Sequence, residues 1–129
     1  MSKLRYSIIY AVIRPEIGEQ VSVGLIFVDG DKVEMRYSNE KLKALQGLFP
    51  EESFNFISQV VRSMGKNHSE YTVDTIDYLT RYSNNMISLS PLQSIDIMPT
   101  EQNKNKLYRN YIYGGRREQV TTESKVSSA

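Results

Sequence analysis

The stretch LRYSIIYAVIR at residues 4–14, the link Pro15-Glu16-Ile17-Gly18 and the stretch EQVSVGLIFVD at residues 19–29 decide the fold. In the first stretch Leu4, Tyr6, Ile8, Tyr10 and Val12 alternate into one apolar face, and from Ile9 the other face, with Ala11 and Ile13, turns apolar too. Period-two alternation predicts a strand, and apolar character on both sides predicts a central one. Pro15 ends it, because the ring holds Arg14 extended and removes a ladder donor. The second stretch sets Val21, Val23, Leu25 and Phe27 on one face against Gln20, Ser22, Gly24, Ile26 and Val28 on the other. Asp29-Gly30 predicts a tight turn, since such a pair tolerates the positive φ of two-residue hairpins. In residues 32–37, Val33, Met35 and Tyr37 alternate with Lys32, Glu34 and Arg36, the pattern of a strand with one wet face.

Outward from this hairpin the period lengthens to that of a helix. Leu42, Leu45, Leu48 and Phe49 form one stripe, with Ser38 or Asn39 as N-cap and Pro50 as stop. A second helix follows Pro50, with Glu51 and Glu52 in its first turn, Phe54, Ile57, Val61 and Met64 facing inward, and Gly65 as C-terminal cap. A third spans residues 73–82, capped by Thr72 and packing Val73, Ile76 and Leu79, with Asn84-Asn85 as its end. Residues 86–89 read as a fourth strand, and residues 94–98 as either loop or short edge strand. Pro99-Thr100-Glu101 opens a last helix to Tyr113 that packs Leu107, Tyr108, Tyr111 and Ile112 and stops at Gly114. These elements predict an α+β domain: an antiparallel sheet of three to five strands with an N-terminal β-hairpin, covered on one face by three or four helices. Residues 1–113 form that single domain, and the polar residues 114–129 read as a disordered tail.

Composition bounds the chemistry. The chain has 129 residues, no cysteine, no tryptophan and one histidine, His68. Disulfides, zinc-thiolate centres and thiol nucleophiles are excluded, and a reducing, cytoplasmic setting is expected. The longest apolar run, residues 8–13, is too short to span a membrane, and Ser2-Lys3-Leu4-Arg5 leads into it without a small-residue cleavage site. His68, in the polar run Lys66-Asn67-His68-Ser69-Glu70, reads as a solvated residue or a cation near a helix C-terminus. Asp74 and Asp77 read as surface acids. No phosphate-binding glycine loop or nucleophile elbow occurs. Hence no catalytic residue, metal ligand or cofactor is expected.

The net charge of +1 conceals segregation. Residues 67–103 hold Arg81 against Glu70, Asp74, Asp77, Asp96 and Glu101, whereas residues 104–117 hold Lys104, Lys106, Arg109, Arg116 and Arg117 with no acid. Tyr108, Tyr111 and Tyr113 interleave with those cations. Cations for phosphates and rings for bases are what single-stranded nucleic acid needs, so Lys104, Lys106, Tyr108, Arg109, Arg116 and Arg117 are candidate contacts for nucleic acid or for an acidic protein partner. The competing reading has Tyr108 and Tyr111 packing the helix onto the sheet and the cations on its solvated face.

The residues Tyr6-Ser7-Ile8-Ile9, Val12-Ile13-Arg14-Pro15 and Gly18-Glu19-Gln20-Val21-Ser22-Val23-Gly24-Leu25-Ile26 resemble the signature of a family of small bacterial proteins described only as a domain of unknown function. The segment from Ile87-Ser88-Leu89 to Leu107-Tyr108 is similar to its C-terminal third. The family has an asparagine where this chain has Ser22. The resemblance implies a shared fold without an assigned activity. It also implies a partner protein, because members are encoded beside a serine/threonine kinase of the persistence-toxin type. Arg14, Pro15, Gly18, Glu19 and Gly24 are the motif residues it singles out. Within that motif, Gly24 inside a strand signals a bulge or a close backbone approach, and Arg14 and Glu19 are placed to form a surface ion pair contributing less than about 1 kcal/mol. A non-catalytic protein-interaction module is the first functional expectation, with nucleic-acid binding as the alternative.

Overall fold

The computed structural model describes residues 4–81 and 86–114. The chain forms β1 (Leu4–Arg14), β2 (Glu19–Asp29), β3 (Lys32–Tyr37), α1 (Asn39–Ala44), α2 (Glu51–Asn67), α3 (Val73–Arg81), β4 (Ile87–Leu89), β5 (Gln93–Ile95) and α4 (Glu101–Tyr113). Short 3-10 turns at Pro15–Ile17, Leu45–Gly47 and His68–Glu70 follow β1, α1 and α2. The side chain of Leu79, the Asn84-Asn85 stop and the tail beyond Gly114 lie outside the described residues. The fold is α+β, an open antiparallel sheet of five strands with an N-terminal hairpin.

The strand order is β3-β2-β1-β4, and β5 pairs with β1 on the same side as β4. β4 faces residues 9–11 of β1 and β5 faces residues 4–6, so together they act as one interrupted strand. Ser90 spans the interruption. Its N–H donates to the Ile8 carbonyl at 2.9 Å, and its Oγ accepts from the Ile8 N–H at 2.8 Å. Ser7, fully buried, donates its hydroxyl to the Ser90 carbonyl at 2.5 Å. A side-chain oxygen thus replaces a ladder acceptor where the strand breaks, which keeps buried backbone groups satisfied.

Pairing between β1 and β2 runs Ile9 with Gly24 and then Tyr10 with Ser22, which leaves Val23 as an extra residue. This bulge reverses the alternation of β2. Val21 and Val23 therefore join Ile26 and Val28 in one core, while Leu25 and Phe27 belong to another. The single face predicted for Val21, Val23, Leu25 and Phe27 is split between the two sides of the sheet. A Cβ on Gly24 would lie 2.8 Å from the Arg36 carbonyl oxygen and 3.2 Å from Ile9 Cδ1, so the bulge and the close approach coincide at this residue.

The first core packs Ile9, Ala11, Val23, Ile26 and Val28 against Leu42 of α1, Ile57, Val61 and Met64 of α2, and Ile76 of α3. The second packs Leu4, Tyr6, Leu25 and Phe27 against Leu107 of α4. Neighbouring residues such as Leu25 and Ile26 project to opposite faces. Three helices, α1, α2 and α3, cover one face as expected, and α4 lies on the other. The even residues of β3 that read as a wet face point towards α4. The stop expected at Gly65 is also corrected, since α2 continues to Asn67. Gly65 lies inside the helix because the Tyr37 ring rests on it, and a Cβ there would meet Tyr37 Cε1 at 2.5 Å.

Candidate functional site

β3 is an edge of the sheet. Antiparallel pairs alternate between those that exchange both hydrogen bonds and those that exchange none. Asp29 and Lys32 close the two-residue turn and exchange theirs, and the Ser38 N–H donates inward to the Val23 carbonyl at 2.9 Å. The even residues of β3 therefore bond to β2, and Val33, Met35 and Tyr37 direct their N–H and C=O groups out of the sheet. The Val33 carbonyl meets His68 Nδ1 at 3.2 Å. A carbonyl only accepts, so His68 Nδ1 donates this hydrogen bond.

A cavity of about 360 Å³ lies along this edge, and residues 32–35 all line it. Successive side chains of a strand point to opposite faces, so a cavity touching four in a row runs beside the strand. His68 and Ser69 form one wall and Lys104 of α4 the other, while Phe27 and Asp29 of β2 complete the lining. Apolar side chains with a few converging polar groups are the general composition of a binding site.

The α4 wall is held by ion pairs. Lys104 Nζ lies 2.7 Å from Glu34 Oε1, and Arg36 Nη2 lies 3.0 Å from Glu34 Oε2 and 2.7 Å from Glu101 Oε1. Arg36 also donates to Asn105 and sits 5.5 Å from the centre of the Phe27 ring. Burial pushes the Glu34 carboxyl up, but hydrogen bonds from Lys104 and Arg36 outweigh it and hold it below the usual carboxylate range. The two cations and two carboxylates of this network balance, and Asp29 and Lys32 bring one charge of each sign to the turn.

The residues singled out in the sequence are only partly brought together. Lys104 is committed to Glu34. Tyr108 packs against the second core, and its hydroxyl is pushed up to about 12 by burial and by the neighbouring Tyr113. Lys106 and Arg109 are exposed on α4, and Arg116 and Arg117 lie outside the described residues. Arg14 pairs with Glu19 at 2.9 Å, Pro15 opens the 3-10 turn, and Gly18 closes it in a left-handed conformation. These motif residues thus shape the β1–β2 connection, at the far end of β2 from the cavity, and Gly24 shapes the bulge.

Two long-range contacts escaped sequence reading. His68 reaches Val33 from 35 positions away, and nothing in its polar surroundings signals the contact. Lys41 donates to the Ser22 carbonyl at 2.6 Å and to the Ile112 carbonyl at 2.5 Å, joining the bulge to the end of α4, and burial lowers its pKa. A second, more open groove of about 430 Å³ lies on α2 between Phe56, Val60 and Tyr71, with no charged residue in its lining. Among the described residues no group of three or more His, Asp or Glu side chains could hold a metal ion, and no helix is long and apolar enough to cross a membrane. No family model, curated protein or solved structure matches the chain.

Proposed function

We propose that the protein is a non-catalytic recognition module that takes a segment of a partner protein beside the edge strand β3. The observation that supports this reading is the cavity lined by residues 32–35, beside a strand whose odd residues turn their backbone groups outward. Adding a strand to an exposed edge draws affinity from main-chain hydrogen bonds and specificity from pockets for alternate side chains. A kinase-type protein, as the sequence resemblance implies, is one source of such a segment.

The test is a peptide-display selection against the intact chain, repeated with Ser69→Trp. Ser69 is exposed and lines the cavity, so an indole there obstructs the slot from its solvent side. Binders are expected to lose at least about tenfold in affinity on Ser69→Trp and to shift the Val33 and Met35 amide resonances. Binders that ignore Ser69→Trp, or that shift only Phe56 and Val60 on α2, would remove the edge as the site. The nucleic-acid reading retains Lys106 and Arg109 as exposed cations. Its signature is affinity that falls steeply with salt and weakens when both charges are removed.

A further inference from the structure

We propose that the outward face of α2 pairs antiparallel with the same face of a second copy of the chain, making a symmetric dimer. The helix buries Ile57, Val61 and Met64 in the first core. Glu52, Phe56, Gln59, Ser63 and Lys66 recur at alternating intervals of four and three, which places them on one stripe on the opposite side of the helix. All five are exposed, and the Phe56 ring is the large apolar group among them at 41% exposure. The stripe runs along the groove of about 430 Å³, which shares no lining residue with the β3 cavity. With no charge in its lining, this groove favours an apolar side chain over a charged one, which would lose its hydration there.

The layout of charge and size along the stripe selects the occupant. Its N-terminal end is acidic, with Glu51 and Glu52 in the first turn of α2, and its C-terminal end is basic, with Lys66 in the last. Among the described residues neither Glu52 nor Lys66 forms an ion pair within its own chain. A twofold axis between Gln59 and Val60 levels Glu52 of each copy with Lys66 of the other, and Phe56 with Ser63, to within one residue's rise of about 1.5 Å. Both ends of the seam then meet opposite charge. The small Ser63 leaves room for the Phe56 ring of the other copy beside Val60 and Tyr71, which line the same groove. Each of these contacts occurs twice, as a self-complementary surface requires. A parallel arrangement would set Glu52 against Glu52 and Lys66 against Lys66 and align the two helix dipoles, so electrostatics selects the antiparallel one.

Sedimentation of the full chain at concentrations from about 10 μM to about 1 mM tests this. The expected result is a monomer–dimer equilibrium that shifts to dimer within that range. Phe56→Ala removes one ring from each side of the seam and is expected to weaken dimerisation at least about tenfold. Glu52→Lys turns two attractions into two repulsions and is expected to weaken it at least about fivefold. Combining Glu52→Lys with Lys66→Glu in one chain restores both pairs with their signs exchanged, so dimerisation returns to the parent level. Should Phe56→Ala fail to fold, Ser63→Arg takes its place, because it fills the space that the ring of the other copy would enter. A chain that stays monomeric at about 1 mM overturns the proposal and leaves the groove to some other protein. A dimer that survives Phe56→Ala or Ser63→Arg overturns it too, since another surface then holds the copies together. A double exchange that restores nothing overturns the antiparallel pairing. None of these outcomes bears on the β3 edge, which the Val33 and Met35 amides test separately.

Discussion

Gly24 and Lys41 show how much of this fold depends on single atoms. Gly24→Ala would drive a methyl group into the Arg36 carbonyl oxygen, a backbone atom that cannot swing aside. A loss of about 1–3 kcal/mol is expected in urea unfolding, larger than for a glycine replaced in open space. Lys41→Met would leave the Ser22 and Ile112 carbonyls without their ammonium donor. The expected cost is about 1–2 kcal/mol, with the end of α4 as the first segment to lose amide protection. Gly24 was legible as an anomaly in the sequence, because a glycine inside an apolar strand costs stability and requires a reason. Lys41 was not, since a lysine on a short helix resembles any solvated lysine until the carbonyl ends of two distant elements are brought to it.

At the scale of elements, α4 is attached differently from the other helices. Of its 13 residues only Leu107 and Ile112 are buried. Tyr108 adds partly buried packing, and polar contacts supplement it: the Glu34–Lys104 and Arg36–Glu101 pairs, the Tyr6–Tyr111 hydroxyl contact at 2.8 Å, and the Ser22 hydroxyl donating to the Tyr111 carbonyl at 2.7 Å. Leu107→Ala is expected to cost about 2–4 kcal/mol in denaturant unfolding, because it empties the centre of the small second core. The pH response follows from Glu34. Its folded pKa lies below the unfolded value, so its contribution is complete above the ordinary carboxylate range and is lost as pH falls through the lowered value. Acid should therefore loosen α4, and Glu34→Gln should flatten the acid limb of the stability curve. An unchanged acid limb in Glu34→Gln would show that the pair contributes nothing to the attachment.

For the whole molecule, the sheet predicts where stability is concentrated. β1 is paired along both sides and β1 and β2 are covered on both faces, so their amides should exchange slowest with solvent. Those of α4 should exchange earlier, and native-state hydrogen exchange distinguishes the two. The sequence by itself determined most of the elements, because alternation in residues 4–14, 19–29 and 32–37, the helical stripes of α1 and α2, and the helix-opening Pro99-Thr100-Glu101 are local signals. Local periodicity also announced that β1 is apolar on both sides. It could not reveal that the bulge at Val23 reverses the faces of β2, because a bulge is defined by a partner strand. Nor could it place α4 opposite the other helices, since an amphipathic helix shows which of its faces is buried and not which side of a sheet receives it. The candidate site was the least legible part. The cavity exists because His68, the β3 edge and Lys104 converge from separate parts of the chain, and only tertiary packing turns one polar turn and one lysine into the walls of a slot.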